Sequence, residues 1–245
     1  MALVAGALAF LVTVNRAEIT LPEAGQTPPR VTAAGQASPG LTLDDVARAD
    51  LSRTVTIEAL RGNAEGLGTG WLLDTRGDFV TNAHVVQGEL TVRIRSRDGA
   101  THVGEVVGSD AALDIAVVRS WGGFAGTPLP PMGGSATRLP EPVVAIGSSQ
   151  ATGHADLTDE RITRVAADVP VTGDTALGEP PTVSVYHDML VLDGATIYPG
   201  NSGGPVLDAT GRVVGIVTLA SRSAPEAYAI PLSRVLAELR AFAAR

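Results

Sequence analysis

The sequence predicts an all-β fold with a short helix at either end, on three observations. Short runs of apolar and β-branched residues recur from Thr54 to Ala220. Clusters of Gly, Pro and Asp, such as Arg76-Gly77-Asp78, punctuate those runs. Sustained helical periodicity appears only before the first run and after the last. With 245 residues, 44% of them hydrophobic, the chain can bury a sizeable core, and all-β chains of this length often form one compact unit.

Met1 to Val14 is apolar and ends at Asn15-Arg16. It is short for a membrane span, which needs about 20 residues, and it lacks a preceding basic stretch and a small-x-small cleavage site. The readings are a membrane anchor, a secretory h-region, or an apolar arm packed on the protein. Residues 15–41 are rich in Pro, Gly, Thr, Ala and Gln without periodicity, as in a tether. A capped helix follows from Asp44 to Leu51. Strands are expected at Thr54–Leu60, Gly70–Leu73, Phe79–Thr81, Glu89–Arg95, Thr101–Ser109 and Ile115–Arg119. The segment from Trp121 to Pro142 is dense in Gly and Pro and reads as a crossover. A second set of strands covers Val143–Gly147, Arg161–Val171, Val183–Leu192, Pro205–Leu207 and Val213–Ala220. Leu232, Val235, Leu236, Leu239 and Phe242 share one face of a closing helix.

Composition removes several function classes. The net charge is −8 with no basic run, and aromatics make up 4%, so nucleic acid is not an expected partner. There is no cysteine, hence no disulfide and no zinc–thiolate site. The four histidines lie far apart without metal-ligand spacing, so neither metal nor cofactor is expected. Every basic residue is arginine, which we read as compositional bias.

Three segments carry chemistry. Pro199-Gly200-Asn201-Ser202-Gly203-Gly204-Pro205 surrounds a serine with glycines. A serine hydroxyl needs a base to act as a nucleophile, and the glycines leave its approach uncrowded and permit a tight loop. The N–H groups of Gly200 and Ser202 can then share one space, where a tetrahedral intermediate would place its oxyanion. A hairpin turn is the plainer reading of the same residues. In Phe79-Val80-Thr81-Asn82-Ala83-His84-Val85-Val86, His84 ends an apolar strand that follows Gly68-Thr69-Gly70-Trp71. Imidazole can take and return a proton near neutral pH. Asp114 opens the buried run Ile115-Ala116-Val117-Val118, where a carboxylate needs a partner and an imidazole N–H supplies one. Asp110 is the competing acid, read as solvated in its turn. His102, His154 and His187 read as solvated or structural.

The order His84, Asp114, Ser202 resembles that of chymotrypsin-like proteases. Thr-Asn-Ala-His-Val-Val, Asp-Ile-Ala-Val-Val, Pro-Gly-Asn-Ser-Gly-Gly-Pro-Val and Tyr228-Ala229-Ile230-Pro231 are closest to the HtrA (Deg) branch. That resemblance implies a chymotrypsin-like double β-barrel with the site in the cleft between barrels. The protease domain would span 42–245: barrel one about 52–120, crossover 121–142, barrel two 143–230 and C-terminal helix 231–243. It implies a serine endopeptidase of the cell envelope, membrane-anchored through 1–14 or exported, acting on unfolded or signalling polypeptides and without the PDZ domain usual in that branch. Asn201 stands where many chymotrypsin-like proteases have Asp, so activation by a newly cut N-terminal amine is not expected. The substrate pocket would be lined by Thr196, Ile197 and Tyr198 on one wall and Thr218, Leu219 and Ala220 on the other. The rival is a protease-fold binding module without catalysis; an acyl hydrolase fits less well because its Gly-x-Ser-x-Gly elbow joins a strand to a helix, and no such strand-to-helix context surrounds Ser202.

Overall fold

A computed structural model of the chain describes residues 42–61, 64–132, 139–148, 155–173, 182–194, 197–221 and 224–245. The apolar segment 1–14 and the tether 15–41 lie outside the described residues. Among the described residues, no helix is long and apolar enough to cross a membrane.

Helix α1 (Leu43–Asp50) starts at a full capping box. The Thr42 hydroxyl accepts from the Asp45 N–H at 3.1 Å, and the Asp45 carboxylate accepts from the Thr42 N–H at 2.9 Å. Val46 and Ala47 on its inner face are buried. One 3₁₀ turn, Leu51–Arg53, then enters the first sheet. That sheet holds β1 (Thr54–Arg61), β2 (Ala64–Leu72), β3 (Asp78–Thr81), β4 (Thr91–Arg95), β5 (Thr101–Asp110) and β6 (Ile115–Ser120), with the four-residue helix α2 (Ala83–Val86) between β3 and β4. The antiparallel order is β1-β2-β3-β6-β5-β4, and Ile57 opposite Ile94 closes β4 onto β1 as a barrel. The second barrel has β7 (Glu141–Ser148), β8 (Ala155–Gly173), β9 (Thr182–Asp193), β10 (Pro205–Leu207), β11 (Val213–Ala220) and β12 (Glu226–Pro231), ordered β10-β11-β12-β9-β8-β7. Helix α3 (Leu232–Ala243) ends the chain.

Strands at the seam between the barrels are apolar on both faces. Along β6, Ala116 and Val118 enter the interior of barrel one, while Ile115 and Val117 face the seam. Along β7, Val143 and Ala145 fill barrel two, while Val144 and Ile146 face the seam. The period-2 alternation of a strand sends neighbours to opposite cores, so near-continuous apolar runs are what a two-faced position demands. The crossover is stitched to both barrels. The Leu129 N–H donates to the Leu72 carbonyl, and Met132 and Pro130 bracket Val213 with two further backbone bonds. Helix α3 reaches back to barrel one, where Phe242 lies on Gly108; a Cβ there would sit 2.4 Å from its ring.

Strands β2, β8 and β12 differ most from the sequence expectation, β2 beginning at Ala64 rather than at Gly70. Glu226–Pro231 forms β12, which pairs with both β11 and β9. β8 begins at Ala155 rather than Arg161, with its polar first half paired along β7. Within that half, Glu160 pairs with Val143 and is 3% exposed, and neither of its carboxylate oxygens has a partner among the described residues. Burial alone pushes this carboxyl up to about 8.

An unfolded chain titrates that carboxyl near 4.5, so between that value and 8 the folded state holds more protons. Stability is therefore full below the lower value and is lost as pH rises through the upper one, by about 1.4 kcal/mol per pH unit. The urea midpoint of the wild type should fall across this window, while that of Glu160→Gln, which cannot ionise, stays flatter. Parallel midpoint curves for the two proteins would rule this out.

Candidate active site

His84 is delivered by α2, which is too short to be stable alone and is held by Val85 and Val86 buried in the barrel-one core. Its ring remains one-third exposed. The Asp114 carboxylate, 3% exposed, grips the residue twice: Oδ2 lies 2.9 Å from Nδ1, and Oδ1 accepts the His84 backbone N–H at 3.0 Å. A carboxylate on Nδ1 favours the tautomer that carries its proton there and its basic lone pair on Nε2.

Asp114 sits at φ 53°, a left-handed conformation uncommon for a residue with a Cβ. Two neighbours hold it there. Asp110 accepts the N–H groups of Ala112 and Leu113 at 2.7 and 2.9 Å, so it caps the turn that leads into Asp114. The buried Asn82 amide donates to the Asp114 carbonyl at 2.7 Å and to the Thr218 hydroxyl of barrel two at 3.0 Å. From β9, Tyr186 feels the same carboxylate: burial, and then the charge of Asp114, push its hydroxyl well above its ordinary range.

Ser202 lies in the loop between β9 and β10, and its hydroxyl donates to the Thr218 carbonyl at 3.4 Å. Thr218 therefore meets both halves of the site, through its hydroxyl and its carbonyl. Gly203 has φ 87°, and a Cβ there would lie 2.2 Å from the Thr69 carbonyl oxygen and 2.4 Å from the Thr81 hydroxyl. Only glycine fits. The loop uses its N–H groups selectively: Asn201 donates to Tyr198, Gly203 to Val217 and Gly204 to Asn201. Among the described residues, no protein acceptor takes the N–H of Gly200 or of Ser202. These are the two donors an oxyanion would need.

The six wall residues do not all share one environment. Thr218 is buried, and its hydroxyl is engaged with Asn82 and the Ile216 carbonyl. Leu219 is buried in the seam core, Ala220 is half-buried, and Ile197 packs against the interior of barrel two. Tyr198 is 47% exposed, so its ring is no core element. Thr196 lies outside the described residues. Among the described residues, no group of His, Asp and Glu is arranged to hold a metal ion. Sequence reasoning gave no role to Thr69 or Asn82, both fully buried beside the loop and the acid. The one available signal is a polar residue among small or apolar neighbours, Thr69 in the Gly-Thr-Gly of β2 and Asn82 at the junction of β3 and α2.

Residues 68–216 match the family model of the trypsin-like peptidase domain. The serine protease PepD of Mycobacterium tuberculosis is 32% identical over 225 residues, covering 87% of this chain and 47% of that protein. The chloroplastic protease Do-like 1 of Arabidopsis thaliana is 34% identical over 176 residues, covering 70% of this chain and 38% of the relative. The chain thus spans less than half the length of these relatives. Among solved structures, the HtrA-type protease AlgW with a tripeptide superposes with a TM-score of 0.66 at 24% identity, over 82% of this chain and 63% of that one.

Asp114→Asn keeps the shape of the acid but favours the wrong His84 tautomer, and it should lower peptide turnover about 10⁴-fold. Asp110→Asn keeps an oxygen to cap the turn and should leave turnover nearly unchanged. Steady-state kinetics on both variants decides the assignment, and a reversed ranking would move the acid to Asp110.

Proposed function

The chain belongs to the trypsin-like peptidase family, and from that premise we propose that it is a serine endopeptidase working through His84, Asp114 and Ser202. The observation that carries the reading is that, among the described residues, the N–H groups of Gly200 and Ser202 have no protein acceptor, while those of Asn201, Gly203 and Gly204 around them are bonded. A binding module has no need to keep two buried-loop donors free on either side of a serine hydroxyl.

In this reading the Ser202 oxygen attacks the scissile carbonyl carbon while its proton passes to His84 Nε2. The carbonyl electron pair moves onto oxygen, and the Gly200 and Ser202 N–H groups receive that charge. Asp114 stabilises the imidazolium from the Nδ1 side. The C–N bond then breaks, the amine leaves with the proton from His84, and an acyl ester remains on Ser202. A water molecule repeats the sequence, giving its proton to His84 and releasing the carboxylic acid from Ser202. Neither a metal nor a cofactor enters any step.

The walls named above carry no charge, so an Arg or Lys side chain entering between them would lose its hydration without gaining a partner. Leu219 and Ile197 supply volume, and the exposed Tyr198 ring limits size at the mouth. Small or medium apolar residues therefore suit the position before the cut. Substrates are extended stretches of unfolded or signalling polypeptide. An envelope location rests on the apolar run 1–14 followed by a tether.

A fluorophosphonate probe should label the wild type and not Ser202→Ala, and the variant should lose about 10⁶ in turnover. Labelling that persists in Ser202→Ala, or turnover above a hundredth of the wild type, would defeat the assignment. On a peptide library, cleavage should follow Ala, Val, Ile or Leu, with Phe and Trp poor and Arg and Lys poorer. A dominant basic preference would mean that a carboxylate such as Asp193 or Glu226 reaches the pocket.

A further inference from the structure

Thr69 belongs to β2 of barrel one, yet of the four hydrogen bonds that follow, all among the described residues, three concern barrel two. Its N–H donates to the Ser202 carbonyl at 2.8 Å. Its hydroxyl donates to the Gly200 carbonyl at 2.7 Å and accepts the Ser148 N–H at 2.8 Å. Its own carbonyl accepts the Thr81 hydroxyl at 2.8 Å. The side chain is fully buried, and both hydroxyl functions are used, so its rotamer is fixed by its partners.

What Thr69 grips is the backbone between the two unclaimed donors. The peptide from Gly200 to Asn201 lies between the Gly200 N–H and the Ser202 N–H, and its carbonyl is turned onto the Thr69 hydroxyl. Its N–H is held at the other side by the Tyr198 carbonyl at 3.0 Å. The carbonyl just past the second donor, that of Ser202, is held by the Thr69 N–H. One residue therefore fixes the carbonyls at both ends of a stretch that begins with Gly200 at φ 103°, where the absence of a Cβ would otherwise let the peptide turn freely. Gly68 packs the contact closer, since a Cβ there would lie 3.1 Å from the Ser202 carbonyl oxygen and 2.6 Å from Val85.

Resting on the peptidase reading above, we propose that Thr69 is a positioning residue that sets the oxyanion-binding loop from the opposite barrel. Hydrogen bonds aimed at charge that develops only in the transition state act on turnover rather than on substrate binding. Losing the Thr69 hydroxyl releases the Gly200 carbonyl and lets the flanking N–H groups drift from a shared focus. Removal of one such donor costs about 10²–10³ in kcat, and that range bounds the effect of misaligning a pair.

The test compares Thr69→Val, which keeps the shape without the hydroxyl, with Thr69→Ser, which restores it. Thr56→Val serves as a control, because it removes a buried hydroxyl bonded to Ser148 at 2.9 Å without touching the loop. Thr69→Val should fold by circular dichroism, lose about 10- to 100-fold in kcat with KM within about twofold, and lose the same factor in affinity for a peptide boronate that forms a tetrahedral adduct on Ser202. Thr69→Ser should recover most of both losses, and Thr56→Val should lower stability alone. If Thr69→Val does not fold, Thr69→Cys replaces it, its thiol being a weaker donor of similar size, and an intermediate loss is expected. A folded Thr69→Val or Thr69→Cys with wild-type kcat overturns the proposal, as does an equal kcat loss in Thr56→Val. A wild-type chain that neither cleaves peptide nor takes the fluorophosphonate label overturns the peptidase reading, and this proposal with it.

Discussion

Trp71, Val80, Ile115 and Val117 of barrel one meet Val144, Ile146, Leu207 and Ile216 of barrel two, all fully buried in one continuous apolar seam. His84 and Asp114 hang on one side of that seam, and the Ser202 loop on the other. Burial of this kind stabilises by about 25 cal/mol per Å² of apolar surface, but it is not directional. It can bring the halves together without fixing their relative position to the fraction of an ångström that catalysis needs.

Buried polar groups supply the direction. Asn82 bridges Asp114 to Thr218, and Thr69 bridges β2 to the Ser202 loop. Arg119 pairs with the fully buried Asp78 at 2.7 and 3.1 Å and also donates to the Ala243 carbonyl at 2.6 Å, which ties α3 to barrel one. Desolvation nevertheless holds the Asp78 carboxyl above its ordinary range, the sign of an ion pair that adds geometry more than stability. Such groups are costly to bury and costlier to break, so a wrong docking of the barrels is penalised by several unmet hydrogen bonds at once. Glu160 departs from this most, since both of its carboxylate oxygens lack a partner among the described residues; Trp71 Nε1, Asn82 Oδ1 and Asn201 Oδ1 are each a single buried polar atom left unmet there.

The fold class was legible because two-faced strands write themselves as apolar runs, and the runs around Ile115 and Val144 are of that kind. Where neighbours rather than composition decide, the reading was weaker. The polar start of β8, Ala-Asp-Leu-Thr-Asp-Glu, looks like a loop until β7 lies beside it. β2 starts at Ala64, within a glycine-rich stretch whose strand propensity is low but whose ladder with β1 is complete. Tyr228-Ala229-Ile230-Pro231 reads in the sequence as a motif, and only its pairing with β9 and β11 makes it a strand. At the site, residue type and order pointed to His84, Asp114 and Ser202, since their chemistry is intrinsic to the side chains. Thr69 and Asn82 escaped, because a threonine or an asparagine has no role until a partner 131 or 136 residues away in the chain is folded against it.

The order of the elements along the chain has a consequence for biosynthesis. Polypeptides emerge N-terminus first, and folding units form as they appear. Barrel one, with His84 and Asp114, is complete before the loop bearing Ser202 has been made, and α3, whose Phe242 closes over Gly108, comes after both barrels. On the proposed peptidase reading, a growing chain therefore carries a base and an acid with no nucleophile to use them. The Gly200 carbonyl meets Thr69 only once the second barrel has docked. On that reading, a half-made molecule cannot yet cleave the proteins around it.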